Sequence, residues 1–402
     1  MQKGLDVVQP GDTLTLLAGI YPAGGISKRA GTASARITIV GAGTPVSKGK
    51  GQLATVKGML TISHSYYTVR NIHFEGFKLF FASGAVVYNI AEYNWINGAA
   101  GGLRLSQASN GVAGLPSYCI ARDNIVTYWT TNAAVNVCGH DNTITSNRFE
   151  HSNGWDATRC FGYNHLIQDN IFNDISVDTV TGNHCDIIQS FGTNGSVAHD
   201  IIFERNTITN SSGQLCNLEQ DGVADQRDWT FRNNLTINSR IQANINIPGT
   251  KWYNNTFYNS PWAIAINVGN SATKGRADNT RVCNNIFFGC GTTSSNGFYN
   301  YGPNLGLTGC VYDYNFMANA DGSPKTIYKA EPHGINGGNP KFVNISTNDF
   351  HLATGSCAIG RGVLESGYTT DLALQPRITP WDLGCLNHGS TLYPPTNLVI
   401  VP

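Results

Sequence analysis

Ile144-Thr-Ser-Asn147-Arg-Phe149 and Ile167-Gln-Asp-Asn170-Ile-Phe172 are one phrase written twice, 23 residues apart. The same phrase, apolar and polar residues alternating into an Asn and then an apolar residue, recurs along the chain. It reads Val69-Arg-Asn71-Ile-His-Phe74, Glu92-Tyr-Asn94-Trp-Ile96 and Ala121-Arg-Asp-Asn124-Ile-Val126 upstream. Downstream it reads Phe203-Glu-Arg-Asn206-Thr-Ile208, Phe231-Arg-Asn-Asn234-Leu235 and Trp252-Tyr-Asn-Asn255-Thr-Phe257. Val282-Cys-Asn-Asn285-Ile-Phe287 and Tyr312-Asp-Tyr-Asn315-Phe316 close the series. Successive Asn residues are 23, 30, 23, 23, 36, 28, 21, 30 and 30 apart. Repeats of that length signal a solenoid, and an apolar period of two makes its segments strands rather than helices. The predicted fold is all-β: a single-stranded right-handed parallel β-helix of about ten or more rungs, with an irregular C-terminal cap. Most of the Asn residues are expected to stack as a hydrogen-bonded ladder at one turn.

Between the Asn phrases lies a second strand that often ends in Gly, as in Ala133–Gly139, Asp156–Gly162, Asp186–Gly192, Cys216–Gly222, Ala243–Gly249, Ala263–Gly269 and Gly297–Gly302. Aligned on that Gly, Val135, Thr158, Ile188, Leu218 and Ile245 form an inward column. Asn136, Arg159, Gln189, Glu219 and Asn246 form the neighbouring outward one, with rungs ~4.8 Å apart.

The 402 residues carry 26 Lys+Arg and 26 Asp+Glu, so a generally basic nucleic-acid binder is excluded. No apolar run approaches the ~18 residues of a membrane-spanning helix. Between Lys78 and Lys251 there is no lysine, and eight arginines face fifteen acids. The ten cysteines include no C-x-x-C pair, which disfavours a zinc ribbon or a redox motif. Most read as buried thiols, with a Cys357–Cys385 disulfide expected to restrain the irregular C-terminal segment.

Acids, an arginine, a histidine and aromatics converge on three successive rungs: Trp155, Asp156 and Arg159; His184, Asp186 and Gln189; Glu219 and Asp221. Asp156 and Asp186 are expected to stack one rung apart, where two carboxylates share a proton or hold a cation. A calcium ion, acid/base duty and plain turn capping all remain open for them. Arg159, Gln189 and Glu219 read either as an exposed polar ladder or as a substrate groove, with Arg159 meeting a carboxylate or sulfate. Trp155, Phe161 and Phe191 are candidate sugar platforms, or else an aromatic ladder under a loop. His184, two residues before Asp186, is a candidate base.

The run Val8-Gln-Pro-Gly-Asp-Thr-Leu-Thr-Leu-Leu-Ala-Gly-Ile-Tyr21, followed by Ala35-Arg-Ile-Thr-Ile-Val-Gly41, resembles the opening of secreted pectate-lyase-like β-helix proteins. It is most similar to that of the alginate lyase and chondroitinase B polysaccharide lyases. Phe350-His-Leu-Ala-Thr-Gly-Ser-Cys-Ala-Ile-Gly360 with Trp381-Asp-Leu-Gly384 resembles the close of the same superfamily. The resemblance implies a secreted enzyme whose leader is absent here. It further implies a lysine and an arginine in base and acid roles, and acids and Asn on calcium. The missing central lysine means that this pattern does not carry over intact.

Three readings follow. The first is a lyase that cleaves a uronate-containing polysaccharide by β-elimination. On it Asp156 and Asp186 hold calcium, and His184 or Arg159 takes the proton. The second is a glycoside hydrolase with Asp186 and Glu219 or Asp221 as its acids. The third is a non-catalytic glycan-binding spike or adhesin. All three expect a polysaccharide partner, no nucleic acid, no membrane, and a monomer or trimer. Residues 1–390 are expected to form one domain, with opening coils in 1–60 and irregular chain from about 317 wrapping or capping the end. Residues 391–402 read as a proline-containing tail or linker.

Overall fold

One coil of the chain is three short strands and the bends between them: Ile120–Arg122, Ile125–Thr127 and Ala133–Val137. The next coil, Thr143–Thr145, Arg148–Asn153 and Asp156–Cys160, lies parallel on it strand for strand. The computed structural model describes residues 1–43, 54–76, 78–81, 86–98, 100–106, 116–180, 184–192, 197–220, 225–260, 266–271, 273–291, 306–327 and 329–389. They form two compact units, one of residues 1–201 with 211–226, the other of 202–210 with 227–402. Both are built as parallel β-helix. Crossovers between parallel strands are right-handed in about 98% of cases, which sets the expected sense of the coil.

In the first unit the third sheet matters most for function. Its strands stack in parallel from Gly25–Ile26 through Leu60–Ile62, Leu79–Phe81, Leu103–Leu105, Ala133–Val137, Asp156–Cys160 and Asp186–Phe191 to Gln214–Glu219. Alternation buries one residue in two. Leu103, Val135, Thr158, Ile188 and Cys216 share an inward column, each at most 1% exposed. Ala121, Ile144 and Ile167 from the first sheet, and Val126, Phe149 and Phe172 from the second, close the core.

The Asn phrase marks the bend between first and second sheets. Asp123, Ser146 and Asp169 take the left-handed conformation there, with φ of 55°, 57° and 56°. That costs a non-glycine residue roughly 1–2 kcal/mol. The following Asn offsets it. Asn94, Asn124 and Asn147 donate from Nδ2 to the Oδ1 of Asn124, Asn147 and Asn170 in turn, at 2.9–3.0 Å, and all four are buried. The second unit repeats the device over Asn206, Asn234, Asn255, Asn285 and Asn315. Asn71 departs from the expected ladder. It occupies the left-handed bend itself, φ 54°, and Ile72 fills the ladder position.

A second ladder at another bend of the first unit ends on a histidine. Asn142 accepts from the Cys119 backbone N–H, and the Asn142 N–H donates to His165 Nδ1 at 3.2 Å. His165 Nε2 lies 2.8 Å from the Phe161 carbonyl, so the ring serves as acceptor and donor at once and is neutral. Burial depresses its pKa to about 4 from 6.5. The unfolded chain therefore takes up a proton that the fold refuses. Stability is full above pH 6.5 and is lost as pH falls from 6.5 to about 4, by on the order of 3 kcal/mol. Denaturant titrations at pH 7.5 and 4.5 should show this loss, and His165→Asn should flatten that part of the profile.

The ends are closed differently. A helix at Gln2–Val7, which the sequence reading missed, buries Leu5. Gln2 bonds both backbone groups of Ile26, covering the first strand of the third sheet. In the second unit the chain after the antiparallel pair Phe342–Asn344 and Asp349–Leu352 has no long strand and runs along the bends. Asn233 donates to the Thr370 carbonyl, Asn254 to those of Asp382 and Gly384, and Asn284 to that of Val363. This stretch forms a strap along the bends.

All ten cysteines are free thiols, which corrects the expected Cys357–Cys385 bridge. Cys385 is buried beside Leu235 and Phe350, while the Cys357 thiol reaches the Asn339 carbonyl at 3.3 Å. The strand expected at 297–302 and the tail at 391–402 lie outside the described residues. Among the described residues no helix is long and apolar enough to cross a membrane.

Candidate functional site

Strand register builds the site. On the outward side of the third sheet, Phe80, Arg104, Asn136, Arg159, Gln189 and Asn217 are paired one above another. The column rises ~4.8 Å per rung. Three of its amides are nearly covered: Asn136 is 1% exposed, Gln189 8% and Asn217 9%. The Asn136 Oδ1, Gln189 Oε1 and Asn217 Oδ1 atoms accept no hydrogen bond from the described residues. Buried acceptors without donors are rare and costly.

Glu219 is not in this column, against expectation. It pairs with Phe191, two residues beyond Gln189. Glycine alignment misplaced it because register follows the buried side chains: Cys216 stacks on Ile188, and Leu218 on Ser190. The outward residue of that strand next to Gln189 is Asn217.

Asp156 and Asp186 begin their strands one rung apart and are 3% and 0% exposed. The Asp186 backbone N–H donates to Asp156 Oδ1 at 2.9 Å, and Arg159 Nε donates to Asp156 Oδ2 at 2.7 Å. Trp129 Nε1 donates to the Asp156 carbonyl at 2.9 Å, fixing the start of that strand. Burial pushes the Asp156 carboxyl up, and the Arg159 guanidinium pulls it back. Each oxygen of Asp156 therefore already serves one donor, and a cation stands beside it. Calcium prefers six to eight oxygens in an open, anionic cage. Asp156 and Asp186 do not fit that description; Asp156 fits an anchor that holds the next rung and orients Arg159.

Arg159 Nη1 also donates to Asn132 Oδ1 at 3.1 Å, and its guanidinium carbon lies 5.8 Å from the Phe191 ring centre. Two partners and one ring hold the guanidinium in place. The His184 side chain is 58% exposed, with Nδ1 3.6 Å from Asp186 Oδ2. The Asp186 carboxylate raises the imidazole pKa above 6.5, against the opposing effect of burial. An accessible histidine beside a fully buried carboxylate is a candidate base.

The aromatics divide. Phe161 is fully buried against Cys138 and meets Phe191 edge-on at 5.1 Å, so it is a core residue and not a sugar platform. Its phase changes because the strand ends at Cys160. Phe191 and Trp155 remain half-exposed. Asp221 lies outside the described residues. Arg104 and Asn217 were passed over by the sequence reading, although Leu103-Arg-Leu105 has the alternation that puts an arginine outside. A strand of three residues with no following glycine gave no anchor for aligning it.

No family model matches this chain, and no curated protein matches it. Solved structures do. A PL6 family alginate lyase, AlyGC, aligns at 13% identity and a TM-score of 0.45 over 83% of this chain and 52% of that one. This chain thus spans about half the length of that lyase. Pectate lyase Pel9A aligns at 13% identity and a TM-score of 0.46, covering 96% and 90% of the two chains. A mannuronic acid specific family 6 lyase from human gut microbiota aligns at 16% and 0.41, covering 79% and 76%. Likeness at this level does not extend to activity. What the strand pairing itself establishes is that this chain is a parallel β-helix protein.

Proposed function

We propose that this protein binds a uronate-containing polysaccharide along the outward column of the third sheet and cleaves it by β-elimination. The observation that carries the reading is the column itself. Amide oxygens at Asn136, Gln189 and Asn217 that accept no hydrogen bond from the described residues share the column with guanidinium groups at Arg104 and Arg159. Sugar hydroxyls supply donors, and a uronate carboxylate supplies the anion that a guanidinium pairs with. A polymer laid along the solenoid meets the Arg104 and Arg159 guanidinium groups two rungs apart, and reaches the amide oxygens where the cover over them gives way.

The chemistry follows from His184, Asp186 and Arg159. Arg159 neutralises the uronate carboxylate and so lowers the barrier to removing the proton on the adjacent carbon. Neutral His184 takes that proton, the electron pair forms the carbon–carbon double bond, and the glycosidic C–O bond breaks. The leaving oxygen is protonated from water. Asp186 holds the imidazole in the accepting tautomer and stabilises the imidazolium. Nothing in this sequence of steps requires a metal on Asp156. The same reading places the protein outside the cell, where such polymers are found.

Hydrolysis by Asp186 and Glu219 is disfavoured by register. Asp186 pairs with Gln214, so Glu219 lies five residues further on, about 16 Å along the strand. Glycosidase carboxyl pairs stand roughly 5–9.5 Å apart.

Incubation with pectin, alginate and glycosaminoglycans tests the proposal, because elimination alone creates a product that absorbs in the ultraviolet. New reducing ends without that absorbance would mean hydrolysis, and no product would leave a binding protein. The pH profile gives a finer check. The base acts deprotonated, and its pKa is raised, so kcat/KM should climb through a limb above pH 6.5. Asp186→Asn should move that limb to lower pH.

A further inference from the structure

Arg104 differs from the other arginines on these rungs. Arg159 has Asp156, Arg122 has Glu92 and Arg148 has Glu150. Arg104 is half-buried, yet no described residue offers it a hydrogen bond or an ion pair. Its one neighbour of note is the Phe80 ring, 5.9 Å away on the preceding rung. Lys78 stands just before that rung's strand, and its Nζ reaches only the Ala100 carbonyl at 3.4 Å. Burial lowers the pKa of both cations, and Arg104 further lowers that of Lys78. The fold thus keeps two like charges near each other, partly out of water, without an acid among the described residues to offset them. Such an arrangement costs free energy in the empty protein and is repaid by an anionic ligand.

We infer that Arg104 and Lys78 form a second anion subsite, which takes a carboxylate or sulfate two rungs along the same polysaccharide from the group held by Arg159. The inference rests on the polysaccharide reading above but not on its elimination chemistry. Two rungs separate Arg104 from Arg159, about 10 Å. The favoured substrate therefore presents charged groups on one side at that spacing. Gln189 and Asn217, beyond Arg159, take hydroxyl-bearing parts of the chain. The Phe80 ring holds the guanidinium face and leaves its edge to the anion.

The test is calorimetric titration of disaccharides and hexasaccharides prepared from pectin, alginate and a sulfated glycosaminoglycan. An Asp186→Asn background leaves the ligand intact during the measurement. The parent should gain affinity from disaccharide to hexasaccharide with at least one of the three polymers. Arg104→Gln should weaken the hexasaccharide about tenfold to a hundredfold and collapse that gain. Lys78→Gln should act in the same direction, less strongly, since an ammonium lacks the bidentate edge. Unchanged melting temperatures identify the losses as binding effects. A hexasaccharide bound equally well by parent and Arg104→Gln overturns the subsite, as does a parent that binds none of the three. If binding depends on Arg104 while no polymer yields the ultraviolet product, the elimination chemistry fails and the subsite stands.

Discussion

Asp186→Asn is expected to lower turnover by at least ~10² while leaving KM and the melting temperature nearly unchanged. The substitution preserves shape in a fully buried position, and the backbone N–H of residue 186 still reaches Asp156. What it removes is the negative charge 3.6 Å from His184 Nδ1. Without it the imidazole is a weaker base. Steady-state kinetics on the polymer identified by the ultraviolet assay, with thermal unfolding alongside, measures both halves. A fully active variant would place the base elsewhere, and an unfolded one would make Asp186 a structural residue. Asp156→Asn provides the contrast. There the carboxylate carries the Arg159 bond and the link to the next rung, so stability and substrate affinity should fall together. Breaking one side of such a buried pair costs about 3–5 kcal/mol.

The largest stability effect is expected at Asn147. Its Oδ1 accepts from both the backbone N–H and the Nδ2 of Asn124, and its Nδ2 donates to Ala121 and Thr145 carbonyls and to Asn170 Oδ1. Asn147→Leu has similar volume and leaves those groups buried and unpaired. At about 1–3 kcal/mol for each group left without a partner, and with partial relaxation, the loss should reach about 3–6 kcal/mol. That is a large share of a typical 5–15 kcal/mol stability. Equilibrium denaturation should report it as a lower midpoint. Ser146→Gly, one residue earlier at a φ of 57°, should be neutral or slightly stabilising, because the strain there belongs to the β-carbon. If the two variants behaved alike, the ladder would not be what holds the bend.

The Asn phrase made the fold legible because its spacing is a direct image of coil length, and each copy carries the same buried amide. Register within the third sheet was harder to read. Its strands meet bends of unequal length, and glycine stands at different distances from the strand. Aligning on glycine therefore put Glu219 beside Gln189, where burial of Cys216 and Leu218 puts Asn217. Asp156 and Asp186 were correctly stacked, but sequence does not say which carboxylate spends its oxygens on the backbone. Phe161 shows the limit of parity: it keeps the strand's alternation in the sequence but sits past the strand's end, in the core. Arg104 carries no sequence signal of its own, because its lack of an acidic partner among the described residues is a property of the packed rungs. The helix at Gln2–Val7 left no trace in the strand pattern, since six residues contain too little periodicity to be read.

The strap sets an order of events during synthesis. Asn254 waits for the carbonyls of Asp382 and Gly384, 128 and 130 residues later in the chain. At translation speeds of about 5–20 residues per second, that interval is roughly 6–26 s. For that time the Asn254 side-chain N–H groups, which in the finished fold donate to those two carbonyls, are met by water. A chain released before residue 384 never gains those bonds, however complete its strands are. The strap therefore acts as a late seal on coils made earlier, and chains that include it should resist proteases where chains ending before it are cut at the bends around 233, 254 and 284.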